Sequence, residues 1–232
     1  MRRHSGRACG TLRAVELIDR LLGIDVSALS DADKTLPVAD SAIRAMIPDV
    51  RMAGPAFTVV AEDDHLPVMS ALAAAASGDV LVIASNGGSR AVFGELFATE
   101  ARRRGLAGIV ADGFCRDLRG LRLIGLPVFA RGTTPRSGTT VSRAALGATI
   151  ACGGVEVSPG DVVFGDDDGL LVATAQRIAG ALDTAELIAR SERAILAAQA
   201  RGEALHDLTN HDAHVAALER GEASALAFQV DG

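Results

Sequence analysis

The sequence predicts an α/β protein built around one core, and three observations carry that prediction. Between residues 54 and 132, short β-branched apolar runs alternate with longer segments of helical period, at the spacing of βαβ units. Residues 139–174 then switch to brief β-rich runs broken by Gly-Gly, Pro-Gly and Asp-Gly turns, the pattern of a small antiparallel or barrel-like sheet. Finally, 232 residues at 49% hydrophobic content are enough for one substantial core.

Each element has its own signal. Residues 11–23, TLRAVELIDRLLG, place Leu12, Val15, Leu17, Ile18, Leu21 and Leu22 at helical spacing and close on Gly23, so a surface helix is expected. Residues 26–49 are rich in Ser, Asp and Pro and read as turns. GPAFTVVAE (54–62) is a strand by composition, and LPVMSALAAAASG (66–78) a helix that ends at Gly78. DVLVIAS (79–85) is a continuous apolar strand of the kind covered on both faces. Asn86, Gly87 and Gly88 form a turn, and a helix is expected from about Ala91 to Arg104, stopped by Gly105. A strand LAGIVAD (106–112), a loop to Asp117, a short helix 118–125 and a strand 126–132 follow. Residues 175–204 form a long amphipathic helix, and 206–232 a tail with one more short helix and a loose end. The expected organisation is a single domain over 1–232, its core at about 25–205, with helices flanking at both termini.

Composition excludes several classes of function. A net charge of -6 and a pI near 5.4 leave no basic face for nucleic acid. The cluster Arg102, Arg103, Arg104 falls at a predicted helix C-terminus, where cations complement the macrodipole. Cys9, Cys115 and Cys152 stand far apart, with no CxxC and no disulfide framework, which points to a reducing compartment. No apolar run reaches the roughly 18 residues of a membrane span, so a cytoplasmic protein is expected. Lys34 is the only lysine and lies in a polar stretch, which argues against Schiff-base chemistry. No P-loop, Ser-His-Asp pattern or glycine-rich cofactor loop is present, so a nucleotide-dependent enzyme or a methyltransferase is disfavoured.

Two segments carry chemistry. In a sheet of this kind small ligands bind in the loops beyond the carboxyl ends of the strands, here residues 86–96 and 112–117. The Gly-rich turn at 86–88 is expected to leave backbone N–H groups free near a helix start, which suits a carboxylate or phosphate, and Arg116 adds a planar fork for a carboxylate. Asp117 offers the single carboxylate with which a hard cation such as Mg²⁺ can be anchored when its substrate chelates. An adjacent Arg-Asp pair is also a common surface ion pair, and spacing alone does not separate the two readings.

The block AVFGELFATEARRRGLAGIVADGFCRDLRGLRLIGLPVFARGTTP, residues 91–135, resembles the RraA-like family, which includes the class II 4-hydroxy-4-methyl-2-oxoglutarate / 4-carboxy-4-hydroxy-2-oxoadipate aldolases. VSPGDVVFGDDDGLLV (157–172) is similar to a second recurrent block of that family and RMAGPAFTV (51–59) to its first strand, so the likeness spans roughly residues 25–205. The resemblance implies an α/β sandwich of the swivelling ββα kind, assembled as a homotrimer or homohexamer. It assigns Arg116 to the pyruvyl unit and the enolate charge, Asp117 to Mg²⁺ or Mn²⁺, and the backbone amides at Gly94, Glu95 and Leu96 to the substrate carboxylate. The acid twenty-one positions before the arginine is Glu95, where aspartate is usual; some relatives carry an acid three positions after the aspartate instead, where this chain has Gly120. A glutamate from a neighbouring subunit's C-terminal helix also approaches the site in the family; Glu192 matches best and Glu203 second. Ser30 and Asp31 gain interest from the same resemblance.

The activity so implied is a metal-dependent lyase that cleaves a 4-hydroxy-2-oxo acid to pyruvate and a carbonyl compound, with oxaloacetate decarboxylation through the same electron sink. The rival is a non-catalytic member of the same fold that regulates a ribonuclease by protein contact. Three other features read as structural: Asp166, Asp167 and Asp168 as the solvated tip of a β-turn, His211 and His214 as surface residues, and Cys115 as a small packing residue, although the neighbouring Arg116 could lower its pKa.

Overall fold

A computed structural model describes residues 14–143 and 145–229. Leu12 and the first turn of the expected N-terminal helix, like Cys9, lie outside the described residues; the helix is present over 14–21 and is α1. The chain continues through α2 (Val26–Ala32), β1 (Arg44–Ala45), β2 (Met52–Val60), α3 (Leu66–Ala74), β3 (Val80–Ala84), β4 (Ala91–Phe93) and α4 (Glu95–Arg103). Then come β5 (Gly108–Cys115), α5 (Leu118–Ile124), β6 (Val128–Thr133), β7 (Ile150–Cys152), β8 (Val155–Val157), β9 (Val162–Asp166), β10 (Gly169–Ala173), α6 (Ala175–Ala200), a 3-10 turn (Leu205–Leu208) and α7 (His211–Glu219).

The main sheet runs β1-β6-β5-β3-β2-β9-β10, and β4 pairs with the far end of β5. β2, β3, β5 and β6 are parallel; β1, β9 and β10 are antiparallel to their neighbours. The central strands are apolar throughout because both of their faces are covered. On one face Leu81, Ile83, Ile109 and Ala111 pack under α3, α4 and α5 through Val68, Leu72, Ala98 and Leu121. On the other, Val80, Val82, Val110 and Phe129 meet the β7–β8 hairpin through Ile150, Cys152 and Val157, and also Val163 and Leu170 of β9 and β10. One cluster thus draws on strands from both ends of the order, so the sheet is nearly closed.

A second layer of helices covers β9 and β10. Ile178, Leu182, Ala185 and Ala189 form one stripe of α6, and together with Val26 and Leu29 of α2 they bury Phe164 and Leu171. Thr174 caps α6 by accepting the Arg177 N–H at 3.4 Å, and Arg20 ties α1 to α6 through Glu186 at 2.8 Å.

Five expectations need correction. The turn-rich segment 26–49 contains α2: its Ser and Asp residues face outward while Val26, Ala28 and Leu29 are buried, and the carboxylate of Asp166 accepts the Val26 N–H at 2.8 Å. The helix expected from Ala91 begins only at Glu95, because residues 91–93 pair as β4 with β5. The strand expected to stop at Asp112 runs on to Cys115. The β-rich third quarter does not form one separate sheet: β9 and β10 extend the main sheet, and only β7 and β8 stand apart. The long helix ends at Ala200, and the tail folds back, with the Asn210 side chain accepting the Ala227 N–H and donating to the Ala225 carbonyl.

Candidate active site

The loops after β2, β3 and β5 converge at the carboxyl end of the parallel strands, and β5 shows how. Asp112 and Gly113 together face Arg131 across β6, a bulge that lets the strand resume at Phe114 opposite Gly132. Gly113 is required there, since a Cβ would overlap the Ser85 hydroxyl. Asp112 belongs to this framework and not to the cleft: it pairs with Arg131 and accepts the Gly153 N–H at 2.7 Å, which pins the β7–β8 hairpin. The bulge leaves Cys115 paired with Phe93, and the Arg116 N–H donates to the Phe93 carbonyl at 3.1 Å. β4 is therefore the piece that sets the start of α4 against the Arg116-Asp117 turn.

Asp117 adopts φ 61°, ψ 40°, a left-handed conformation that aspartate tolerates better than most side chains, and it is the residue just before α5. Its Oδ2 accepts the Glu95 N–H at 3.3 Å and lies 3.5 Å from the Arg116 Nε. Gly94 packs so closely on this carboxylate that a Cβ would stand 2.5 Å from Oδ2 and 2.8 Å from the Arg116 Cγ. The Leu96 and Phe97 N–H groups in the first turn of α4 have no intrahelical acceptor and point the positive end of the helix at the same place. Gly94, Glu95, Leu96, Arg116 and Asp117 thus share a cleft of about 160 Å³ with His65, Ala91, Phe93 and Phe97. That is smaller than the roughly 300–1,000 Å³ of drug-sized sites and suits a small metabolite.

The Glu95 side chain lies across α5, in the space that a side chain at position 120 would fill. An acid at 95 and a side chain at 120 are therefore alternatives here, and Gly120 is what admits Glu95. Replacing Gly120 with Ala should raise helix stability by up to about 1 kcal/mol while displacing the Glu95 carboxylate. The expected result is a melting temperature unchanged or slightly higher with turnover down about tenfold, read by calorimetry and steady-state kinetics; a parallel loss of both would contradict it.

Beside the cleft, the segment 137–142 is stitched down by Asp64. This carboxylate is 1% exposed and accepts from the Thr139 hydroxyl and from the N–H groups of Leu66, Val141 and Ser142 at 2.7 to 2.9 Å. Burial pushes its pKa up, but the four hydrogen bonds outweigh burial and hold it well below the ordinary carboxylate range. Its stabilising contribution is accordingly complete above the unfolded value of about 3.9 and is lost as pH falls below that toward the folded one. Asp64→Ala should cost about 3 kcal/mol at pH 7 through the donors it strands, a fall of roughly 6–12 °C in melting temperature, with the gap to wild type closing below about pH 3.

Other residues singled out by sequence lie elsewhere. Glu192 is on α6 and does not line the cleft of its own chain; Glu203 follows that helix and pairs with Arg201. Asp31 lies in α2 beside Ser30 and holds Lys34 at 2.8 Å on the exposed surface. Cys115 is a buried free thiol pushed up to about 12 by burial, so the lowered pKa that Arg116 could have given is not realised. Asp166 is buried at the start of α2, and only Asp167 and Asp168 form the solvated tip. His211 and His214 are on α7 but have separate partners, Asp212 and Ser224. The turn at residues 86–88 closes on itself through Gly88 N–H to Ser85 O and does not line the cleft; the open amides are those of α4. His65 and Phe97 were not singled out by sequence. The signal was available, since His65 follows the carboxyl end of β2 just as the other two loops follow β3 and β5.

The donor set fits a hard divalent cation. Asp117 supplies a carboxylate at an open cleft that Glu95 also lines, and among the described residues no group of three or more His, Cys, Asp or Glu could form a closed metal cage. Mg²⁺ commonly needs no more than one or two carboxylates, with water and substrate completing its octahedron. No helix among the described residues is long and apolar enough to cross a membrane.

A family profile described as RraA-like, Aldolase/RraA, matches residues 26–172, from α2 to β10 and including the whole cleft. The chain belongs to the RraA-like family. A Halalkalibacterium halodurans protein that carries the provisional name 4-hydroxy-4-methyl-2-oxoglutarate aldolase is 36% identical to this RraA-like chain over 160 residues, covering 68% of this chain and 76% of that one. The solved structure of an uncharacterized Pseudomonas syringae protein superposes with a TM-score of 0.74 at 26% identity, over 84% of this chain and 96% of the other. Streptomyces coelicolor RraAS2, described as an unusual member of the RNase ES inhibitor RraA protein family, gives 0.67 at 29% identity, over 77% and 95%. These similarities give an RraA-like fold, and α6 and α7 lie beyond the part that the profile matches.

Proposed function

We propose that this RraA-like chain is a divalent-metal-dependent lyase that cleaves a 4-hydroxy-2-oxo acid to pyruvate and a carbonyl compound, and that it also decarboxylates oxaloacetate. The observation that supports the reading best is the meeting of Arg116, Asp117, Glu95 and the open amides of α4 in one small cleft. Asp117 would hold Mg²⁺ or Mn²⁺, which when bound supplies Lewis acidity toward the oxygens of the 2-oxo acid. The α4 amides bind the substrate carboxylate. Arg116 orients the pyruvyl unit with its planar fork and meets the negative charge that collects on the enolate as the C3–C4 bond breaks. Glu95 accepts a proton on the C4 side through an intervening water, its extra methylene accommodated over Gly120.

Glu192 of α6 is assigned to the cleft of a neighbouring subunit in a homotrimer or homohexamer. Exposed Met69 and Leu96 border an apolar groove between α3 and α4 that opens beside the cleft, a surface suited to such a neighbour. Coupled assay of pyruvate release from oxaloacetate and from a panel of 4-hydroxy-2-oxo acids, with and without Mg²⁺, tests the activity; light scattering tests the assembly. The similarity to RraAS2 favours one alternative, a ribonuclease regulator. No pyruvate release under any metal, together with retention of a ribonuclease on the immobilised protein, would establish that reading in place of the lyase.

A further inference from the structure

We propose that His65 serves the half of the cleft that Arg116 and Asp117 do not, hydrogen-bonding the oxygen carried at C4 of the substrate. The inference rests on the lyase reading and deepens it. The cleft has a polar side formed by the start of α4 and the Arg116-Asp117 turn, and an apolar side of Ala91, Phe93, Leu96 and Phe97. With the pyruvyl unit on the polar side, C4 and its substituents fall against the apolar side, and apart from Glu95, which works through a water, the one remaining polar side chain of the lining is His65.

The imidazole is held without its polar atoms being used. Its ring meets Phe97 edge-on, centroids 5.7 Å apart and planes at 68°. Its backbone N–H donates to the Thr139 carbonyl at 3.0 Å, and Asp64 beside it anchors the same segment. Among the described residues neither ring nitrogen has a hydrogen-bond or ion-pair partner, although the residue is partly buried. A neutral imidazole offers one donor and one acceptor. The N–H donor suits an oxygen that is a hydroxyl before cleavage and a carbonyl after it, because both accept from it. Purely apolar surroundings would leave that oxygen without a partner as it becomes a carbonyl, which can only accept.

The test separates the two halves of the cleft with the Mn²⁺-loaded full chain. Oxalate, which occupies only the pyruvyl half, is titrated calorimetrically, and exchange of the pyruvate methyl protons is followed by NMR. Cleavage of a 4-hydroxy-2-oxo acid is measured alongside. His65→Leu should leave oxalate affinity and proton exchange within about twofold of wild type while cleavage falls about 30-fold, and His65→Asn, which keeps a donor, should recover part of that loss. Equal loss of all three readouts, or cleavage unchanged in both variants, would overturn the role of His65. A wild-type chain that neither binds oxalate nor exchanges pyruvate protons would instead remove the lyase reading, and this inference with it.

Discussion

Asp117→Asn should abolish Mn²⁺ binding by calorimetry and lower pyruvate release by at least about 10³-fold, with the fold intact. The magnitude follows from what is removed. Lewis-acid stabilisation of developing oxyanion charge is worth several kcal/mol, and each 1.36 kcal/mol is tenfold in rate. Asparagine is the informative substitution because position 117 is left-handed at φ 61°, a conformation that Asn shares with Asp and that costs alanine about 1–2 kcal/mol. It also keeps an oxygen for the Glu95 N–H. Asp117→Ala would therefore mix a loss of metal with a distorted turn, and comparing the two variants isolates the charge. Turnover within tenfold of wild type in Asp117→Asn, or activity that survives EDTA, would remove the metal from the mechanism.

Much of this architecture was legible because the central strands announce themselves. A run such as VLVIA has no polar partner residue to alternate with, and burial on both faces explains it. What sequence could not supply was pairing. β4 is only three residues long and its apolar Ala-Val-Phe reads equally well as the first turn of the following helix; it is a strand because the end of β5 offers it unpaired backbone. That offer depends on the bulge at Asp112 and Gly113, which shows in sequence only as an apparent strand end. α2 was hidden for a different reason: three buried apolar residues in seven carry too little periodicity, and the helix owes its start to Asp166, 140 residues away. In the cleft, Arg116 and Asp117 stood out by their chemistry and Gly94 to Leu96 by family resemblance. His65 did not: its place after the carboxyl end of β2 was readable, but a lone histidine in a polar loop stands out only when that end is read beside those of β3 and β5.

The role of Gly94 emerged from the same convergence, and Gly94→Ala should separate site geometry from stability. The backbone at 94 is extended, φ -164°, so alanine is conformationally acceptable there. What alanine cannot do is leave Asp117 in place, since its methyl would stand 2.5 Å from Oδ2, well inside contact distance. The carboxylate is the free end of a side chain 42% exposed to solvent, so it yields before the backbone does and the fold should lose at most about 1 kcal/mol. Catalysis has no such slack. A displacement of about 1 Å at a positioned group costs on the order of 10²-fold in rate, and Mn²⁺ affinity should weaken in step because the same oxygens are moved. The expected signature is a melting temperature within about 3 °C of wild type beside a hundredfold loss in both turnover and metal binding. If instead Gly94→Ala lowered stability severely, the clash would have been absorbed by β4 and the α4 start, and the tight packing of Gly94 would serve the fold more than the carboxylate. If turnover fell with Mn²⁺ affinity unchanged, the displaced group would be the Arg116 stem, 2.8 Å from the new methyl, and the pyruvyl contact would be the sensitive one.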